Sequence, residues 1–170
     1  MDVFTAINQR SSVRAYKATD VEEDKLKKIL GAARLSPSAN NRQEWKFIVV
    51  RNKETKKRLA RAAFGQSFIG AAPVIIVACG TESRAMLGCG QPTHTVDVSI
   101  ACAYMILQAY ELGLGTCWIG AFEEDETKKI LNIPEHVRVV AMTPLGYPNQ
   151  SPSKKIRKSL DQIVCYEKYE

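Results

Sequence analysis

Seven consecutive apolar residues, Pro73-Val74-Ile75-Ile76-Val77-Ala78-Cys79, constrain this chain more than any other feature. A strand with one wet face alternates apolar and polar residues, and this run has no polar face. It reads as a strand buried on both sides, and such a strand needs helices over each face. Helices to supply them are legible in the same sequence. Val98, Ala101, Cys102, Met105, Ile106, Ala109 and Leu112 recur at three and four residues over positions 95–112, and Gly113 follows as a left-handed stop. Leu26, Ile29, Leu30 and Ala33 mark a second helical face. It is opened by Thr19-Asp20-Val21-Glu22, which matches the S/T-x-x-E capping box, and closed by Ser36-Pro37. Shorter helices are expected over 2–8, 53–63 and 125–131, and strands over 46–50, 116–120 and 137–143, with a turn at Gly146-Tyr147-Pro148. The elements do not alternate strictly as βαβ units. The expected fold class is therefore α+β, a three-layer α/β/α sandwich with a mixed central sheet.

The 170 residues are the length of one ordinary domain, so a single domain over 1–170 is expected. Apolar residues at 45% and charged residues at 25% exclude disorder over most of the length. No apolar run approaches the roughly 20 residues that span a bilayer. Met1-Asp2-Val3-Phe4 lacks the basic and apolar regions of a signal peptide. A cytoplasmic protein without a membrane partner is expected. The five cysteines, at 79, 89, 102, 117 and 165, form no C-x-x-C pair, and the two histidines are His94 and His136. This spacing does not suit a metal site. Cys79, Cys102 and Cys117 lie in apolar stretches and read as small core residues.

The formal net charge of +6 favours anionic partners: phosphorylated cofactors, nucleic acid or acidic membranes. The densest basic cluster is Lys154-Lys155-Ile156-Arg157-Lys158. No aromatics interleave with it as stacking platforms, so nucleic acid is not the expected partner.

The standard catalytic signatures are missing. There is no phosphate loop, nucleophile elbow, zinc-protease helix or calcium loop, and nothing near His94 orients it as a general base. A sizeable core with no acid–base or nucleophile cluster suggests that a cofactor carries the chemistry, so no catalytic side chain is assigned. Two segments suit a phosphorylated, flat cofactor. Arg10-Ser11-Ser12-Val13-Arg14 offers two planar cationic forks and two hydroxyls, and also reads as a basic helix end. Residues 37–45, Pro-Ser-Ala-Asn-Asn-Arg-Gln-Glu-Trp, form a polar loop before a strand. That position often carries binding groups, although a plain connection has the same look.

Taken together with two later motifs, these segments resemble the nitroreductase family of flavin enzymes. Arg10 to Tyr16 is similar to the family's R-x-S-x-[RK]-x-[FY] opening. Pro37-Ser38-Ala39 with Asn41, Gln43 and Trp45 resembles its P-S-x-x-N-x-Q-P-W loop, with Glu44 where the pattern has proline. Gly113-Leu114-Gly115-Thr116-Cys117-Trp118-Ile119-Gly120 resembles G-L-G-x-x-W-I-G. Gly146-Tyr147-Pro148 with Lys155 and Arg157 resembles the closing G-Y-P…K-x-R. The four run in the family's order.

The resemblance implies an FMN-containing homodimer with two sites at the subunit interface and a C-terminal tail reaching the partner. Arg10, Lys155 and Arg157 would bind the FMN phosphate, Ser12 would add a contact near the ribityl chain, and Ser11 would also belong to the cofactor-binding set. Arg14 would face the flavin N1/C2-carbonyl edge, where reduction places negative charge. Asn41 would hydrogen-bond the ring's polar edge, Gln43 would also belong to the cofactor-binding set, and Pro37, Ser38 and Ala39 of the other subunit would cover the ring. Backbone groups at Ile119 and Gly120 would lie near N5, the hydride-accepting atom, and Cys117 and Trp118 would also belong to the cofactor-binding set. The expected activity is transfer of hydride from NAD(P)H through FMN to nitroaromatic, quinone or similar small-molecule acceptors, in ping-pong fashion. Alternatives are a specialised flavin reaction of the same family, such as dehalogenation or flavin cleavage, and a basic anion- or nucleic-acid-binding module. Binding by such a module would fall steeply with salt. The short stretch 86–94, with Gly88, Gly90 and Pro92, is expected to be a mobile lid.

Overall fold

A computed structural model describes residues 1–152 and 156–169. The apolar run forms β2 (Val74–Gly80), buried along its whole length. Its side chains part with the period of two that a strand imposes. Val74, Ile76 and Ala78 pack with Leu26, Ile29 and Ala33 of α2 (Glu23–Arg34) and with Val98, Cys102 and Met105 of α5 (Thr93–Glu111). Ile75, Val77 and Cys79 face the other way. They meet Leu59 and Ala60 of α3 (Lys53–Ala62), Ile69 of α4 (Ser67–Ala71) and Met142 of β4 (Arg138–Gly146). On that same side Ile130 and Leu131 of α6 (Glu124–Leu131) close the layer. Helices thus cover both faces, as a two-sided strand requires. Truncating Leu59 or Ile76 to alanine would cost about 2–5 kcal/mol.

The strand order is β1-β2-β4-β3, with β1 at Trp45–Val50 and β3 at Gly115–Thr116. All three pairings are antiparallel. The mixed sheet expected from the sequence is corrected accordingly: among the described residues, parallel geometry enters only as an isolated bridge between Ser12 and Thr116. The reason lies in the connections. Val50 stands opposite Ile75, so α3 and α4 join neighbouring strand ends and return the chain antiparallel.

Other local expectations shift for identifiable reasons. The capping box is not formed: α2 begins after Glu22, whose side chain makes no cap bond. The Glu22 carboxylate accepts from the Tyr147 hydroxyl at 2.6 and 2.8 Å, and Val21 is drawn into the core. The helix expected over 95–112 starts at Thr93, so His94 is helical and buried. Residues 116–120 are strand only at Thr116, and Gly146 ends β4 instead of opening the turn. Residues 86–92 close on themselves as a small hairpin. Met86 bridges Pro92, Leu87 N donates to Gln91 O at 2.8 Å, and Gly90 N donates to Leu87 O at 2.8 Å. These bonds give the stretch expected as a lid a turn of its own. Cys79, Cys102 and Cys117 are buried as expected. Burial pushes the Cys79 thiol up to about 11 and the Cys102 thiol up to about 12, which makes both poor nucleophiles. Among the described residues no helix is long and apolar enough to cross a membrane.

Candidate functional site

The first short helix, α1 (Val3–Gln9), is started by Asp2, whose side chain accepts from Thr5 N, and ends at Arg10. Beyond it the chain runs extended between two other segments. Val13 N donates to Thr116 O at 2.8 Å, beside the Ser12–Thr116 bridge. Arg14 N donates to Gln150 Oε1 at 2.7 Å, Asn149 N to Ala15 O at 2.8 Å and Lys17 N to Tyr147 O at 2.9 Å. The Tyr16 hydroxyl donates to Val13 O at 2.6 Å, and burial pushes its pKa well up, so it remains a donor. Three of the four sequence motifs, at 10–16, 113–120 and 146–148, are therefore brought side by side.

A cavity of about 270 Å³ opens there, lined among others by Arg10, Ser11, Val13, Gly113, Thr116 and Gln150. Arg10, Ser11 and Ser12 are half-buried and Arg14 is exposed. Among the described residues neither guanidinium has an ion-pair partner, whereas Arg138 and Lys128 are held by Glu124, Arg51 by Glu23 and Lys25 by Glu22. Two cationic forks with no carboxylate of their own are suited to an anionic group. Arg157 is exposed and lines an adjoining open groove with Gln9 and Tyr110. Lys155 lies outside the described residues. Further along, Cys117 and Ile119 are buried while Trp118 and Gly120 are exposed. Ile119 exchanges two backbone bonds with Met142, at 2.9 and 3.0 Å, which pins this segment against β4.

The fourth motif stands apart. Ala39–Asn41 form a 3-10 turn, and Asn40, Asn41 and Gln43 have left-handed φ of 51°, 55° and 57°. Gln43 N donates to Ser38 Oγ at 3.1 Å and Gln43 Nε2 to Asn41 O at 3.1 Å. Pro37, Asn41 and Gln43 are exposed, and Ser38 and Ala39 are half-buried. Ala39 N donates to both carboxylate oxygens of Asp97, at 3.2 and 3.1 Å, near the start of α5. Near the other end of α5, the Tyr110 hydroxyl contacts Gln9 Oε1 at 3.1 Å, beside Arg10. At about 1.5 Å of rise per residue these two anchor points are roughly 20 Å apart.

The profile of the Nitroreductase family matches residues 7–71 and 61–147. The chain belongs to the nitroreductase family. It is thereby an oxidoreductase by kinship. A relative from Methanothermobacter thermautotrophicus, which carries the assignment NADH dehydrogenase/NAD(P)H nitroreductase, is 38% identical over 168 residues, covering 96% of this chain and 86% of its own. The FMN reductase [NAD(P)H] of Bacillus subtilis is 28% identical, covering 99% of this chain and 74% of its own. An FMN-dependent nitroreductase from Clostridium difficile R20291 superposes with a TM-score of 0.85 at 31% identity, covering 98% and 99% of the two chains.

Glu44 stands where the motif pattern has proline, and its Oε2 is buried without a hydrogen-bond partner among the described residues. His94 Nδ1 is in the same condition. Burial, with Arg138 adding to it, holds the His94 pKa below its ordinary value, while Glu124 and Glu82 oppose the shift. Sequence reasoning missed Asp97, Gln150 and Tyr110. Asp97 did carry a signal, as a lone acid on an otherwise apolar helix face, and Gln150 lies just past the Gly146-Tyr147-Pro148 motif.

Proposed function

We propose that this nitroreductase-family chain binds FMN around the Arg10–Arg14 segment, as a homodimer, and reduces small oxidised acceptors at the expense of NAD(P)H. The observation that carries the reading is the convergence of three separate motifs on one cavity, with Arg10 and Arg14 free of ion pairs among the described residues. The donor set fits a flavin mononucleotide. Arg10, Arg157 and Lys155 supply cations for its phosphate, and the Ser11 and Ser12 hydroxyls supply neutral donors. Arg14 places a permanent positive charge for the ring's polar edge, where it stabilises charge that develops on reduction without any reorganisation. The backbone of Ile119, pinned by Met142, presents a rigid wall that Gly120 continues. When bound, FMN supplies the hydride relay from NAD(P)H to a nitroaromatic, quinone or similar acceptor.

The position of the 37–45 loop supports a composite site. One chain's loop is anchored at the opposite end of α5 from its own Arg10, so a second copy supplies the loop, with Pro37, Ser38, Ala39, Asn41 and Gln43, to each cavity. The exposed apolar residues Val3, Phe4, Leu160 and Ile163 give such a dimer surface to bury.

The test is the visible absorbance spectrum of the purified protein, followed by anaerobic addition of NADPH and NADH. Flavin bands that bleach with either nucleotide are expected. A protein that stays colourless after incubation with FMN and removal of the excess overturns the reading. The basic-module alternative would then be tested by nucleic-acid affinity against salt.

A further inference from the structure

We propose that Asp97 is a positioning residue that sets the shape of the 37–45 loop for flavin binding, an inference that rests on the FMN reading above. Asp97 is only 4% exposed. On the buried part of α5 it is flanked by Thr93 and His94 one turn before and by the apolar Val98, Ala101, Cys102 and Met105 after it. A carboxylate gains nothing from such a place unless it is hydrogen-bonded. The bond it makes is directed at the loop: both oxygens accept from Ala39 N, at 3.2 and 3.1 Å. A bond with a charged acceptor is among the stronger kinds available to a backbone amide.

The loop needs such an anchor. Three residues at and after the 3-10 turn, Asn40, Asn41 and Gln43, occupy the left-handed region, and side-chain-bearing residues stay there only where their surroundings over-determine the shape. Among the described residues, every other hydrogen bond made by residues 38–43 stays within 38–45: Asn41 N to Ser38 O, Arg42 N to Ala39 O, Trp45 N to Gln43 O, and the two bonds of Gln43. The bond to Asp97 ties the turn itself to the body of the fold, while the loop's end is held where Thr81 N donates to Glu44 O at 3.1 Å. It ties it to the same rigid helix whose far end meets Gln9 beside Arg10. One helix thereby fixes the spacing between the loop and the arginine segment. In a two-fold dimer that spacing decides whether both composite sites close together. Asp97 does this through Ala39, without touching the reacting atoms.

The test compares Asp97→Asn, which keeps an acceptor for Ala39 N, with Asp97→Leu, which removes it. Three readouts are taken on the purified full-length protein: FMN dissociation constant, visible circular dichroism of the bound flavin, and amide hydrogen exchange of residues 38–43. Asp97→Leu is expected to weaken FMN binding by about tenfold or more, to change the flavin dichroism and to speed exchange in the loop. Asp97→Asn is expected to restore most of all three. Because Asp97→Leu risks a fold defect, Ala39→Pro removes the donor from the other side, at a turn start that tolerates proline. It should weaken FMN binding alone, yet add nothing in the Asp97→Leu background. Wild-type affinity and wild-type loop exchange in Asp97→Leu, or additive effects of the two substitutions, overturn the proposal. A wild-type protein that takes up no FMN overturns the cofactor reading itself, and that outcome is seen before any variant is made.

Discussion

Gly115 lies so close to Val13 that a Cβ on residue 115 would stand 2.6 Å from Val13 Cγ2 and 3.0 Å from Pro148 Cγ. Three motifs that are distant in sequence touch at this point, and only a residue without a side chain lets them. Gly115→Ala is expected to push the arginine segment off β3, to destabilise the fold by about 1–3 kcal/mol and to weaken FMN binding. Thermal unfolding and flavin titration of the variant check this. An unchanged melting temperature together with unchanged affinity would remove the contact from the argument.

Arg14 has the opposite character: its guanidinium is exposed and free of ion pairs among the described residues. Arg14→Ala should alter stability by no more than about 0.5 kcal/mol. FMN affinity, or the rate at which NAD(P)H bleaches the flavin, should fall by about tenfold or more. Stopped-flow reduction of the reconstituted protein separates the two effects. A variant that matches wild type in both places Arg14 outside the site.

His94 yields a pH prediction. Its folded pKa is held below the ordinary 6.5, first by burial and then by Arg138. Between the folded value and 6.5 the unfolded chain binds the extra proton, so its contribution to stability is intact above about 6.5 and is lost as pH falls through the folded pKa. Urea midpoints should therefore decline as pH drops below 6.5, and His94→Gln should flatten that decline. Parallel profiles for the variant and wild type would assign the acid sensitivity elsewhere.

The described part of the tail exposes Leu160 at 72%, Ile163 at 62% and Tyr166 at 87%. A homodimer that uses these residues should appear in light scattering at micromolar concentration. The double substitution Leu160→Asp and Ile163→Asp should shift it toward monomer and reduce bound FMN. A dimer that retains its flavin after the change would show that the interface lies on other residues.

The layers of this fold were legible because their signals are local. The unbroken apolar run at 74–79 predicts a strand covered on both faces, and the spacing of Val98, Cys102, Met105 and Ala109 predicts α5, because burial in regular elements follows a period of 2 or 3.6. The candidate site was named from motifs that resemble one family's pattern. The motifs carrying Arg10, Arg14 and Gly115 were picked out by that resemblance, and the structure brings three of the four side by side. The capping box at Thr19 misled because Tyr147, far along the chain, claims Glu22. The 37–45 loop could be named from sequence, but its three left-handed residues could not, since asparagine and glutamine tolerate many conformations in isolation.

By itself, the sequence determined the long helices α2 and α5, the strands β1, β2 and β4, which of their faces are apolar, and that four motifs of one family occur in order. Only the tertiary structure decided the antiparallel order β1-β2-β4-β3, the meeting of Val13 with Thr116 and the capture of Ala39 by Asp97. The division is physical. Periodicity is set by the geometry of neighbouring residues. Strand partners and buried polar bonds are set by free energy gained across long stretches of chain, where many pairings satisfy the same local pattern and the packed core selects one.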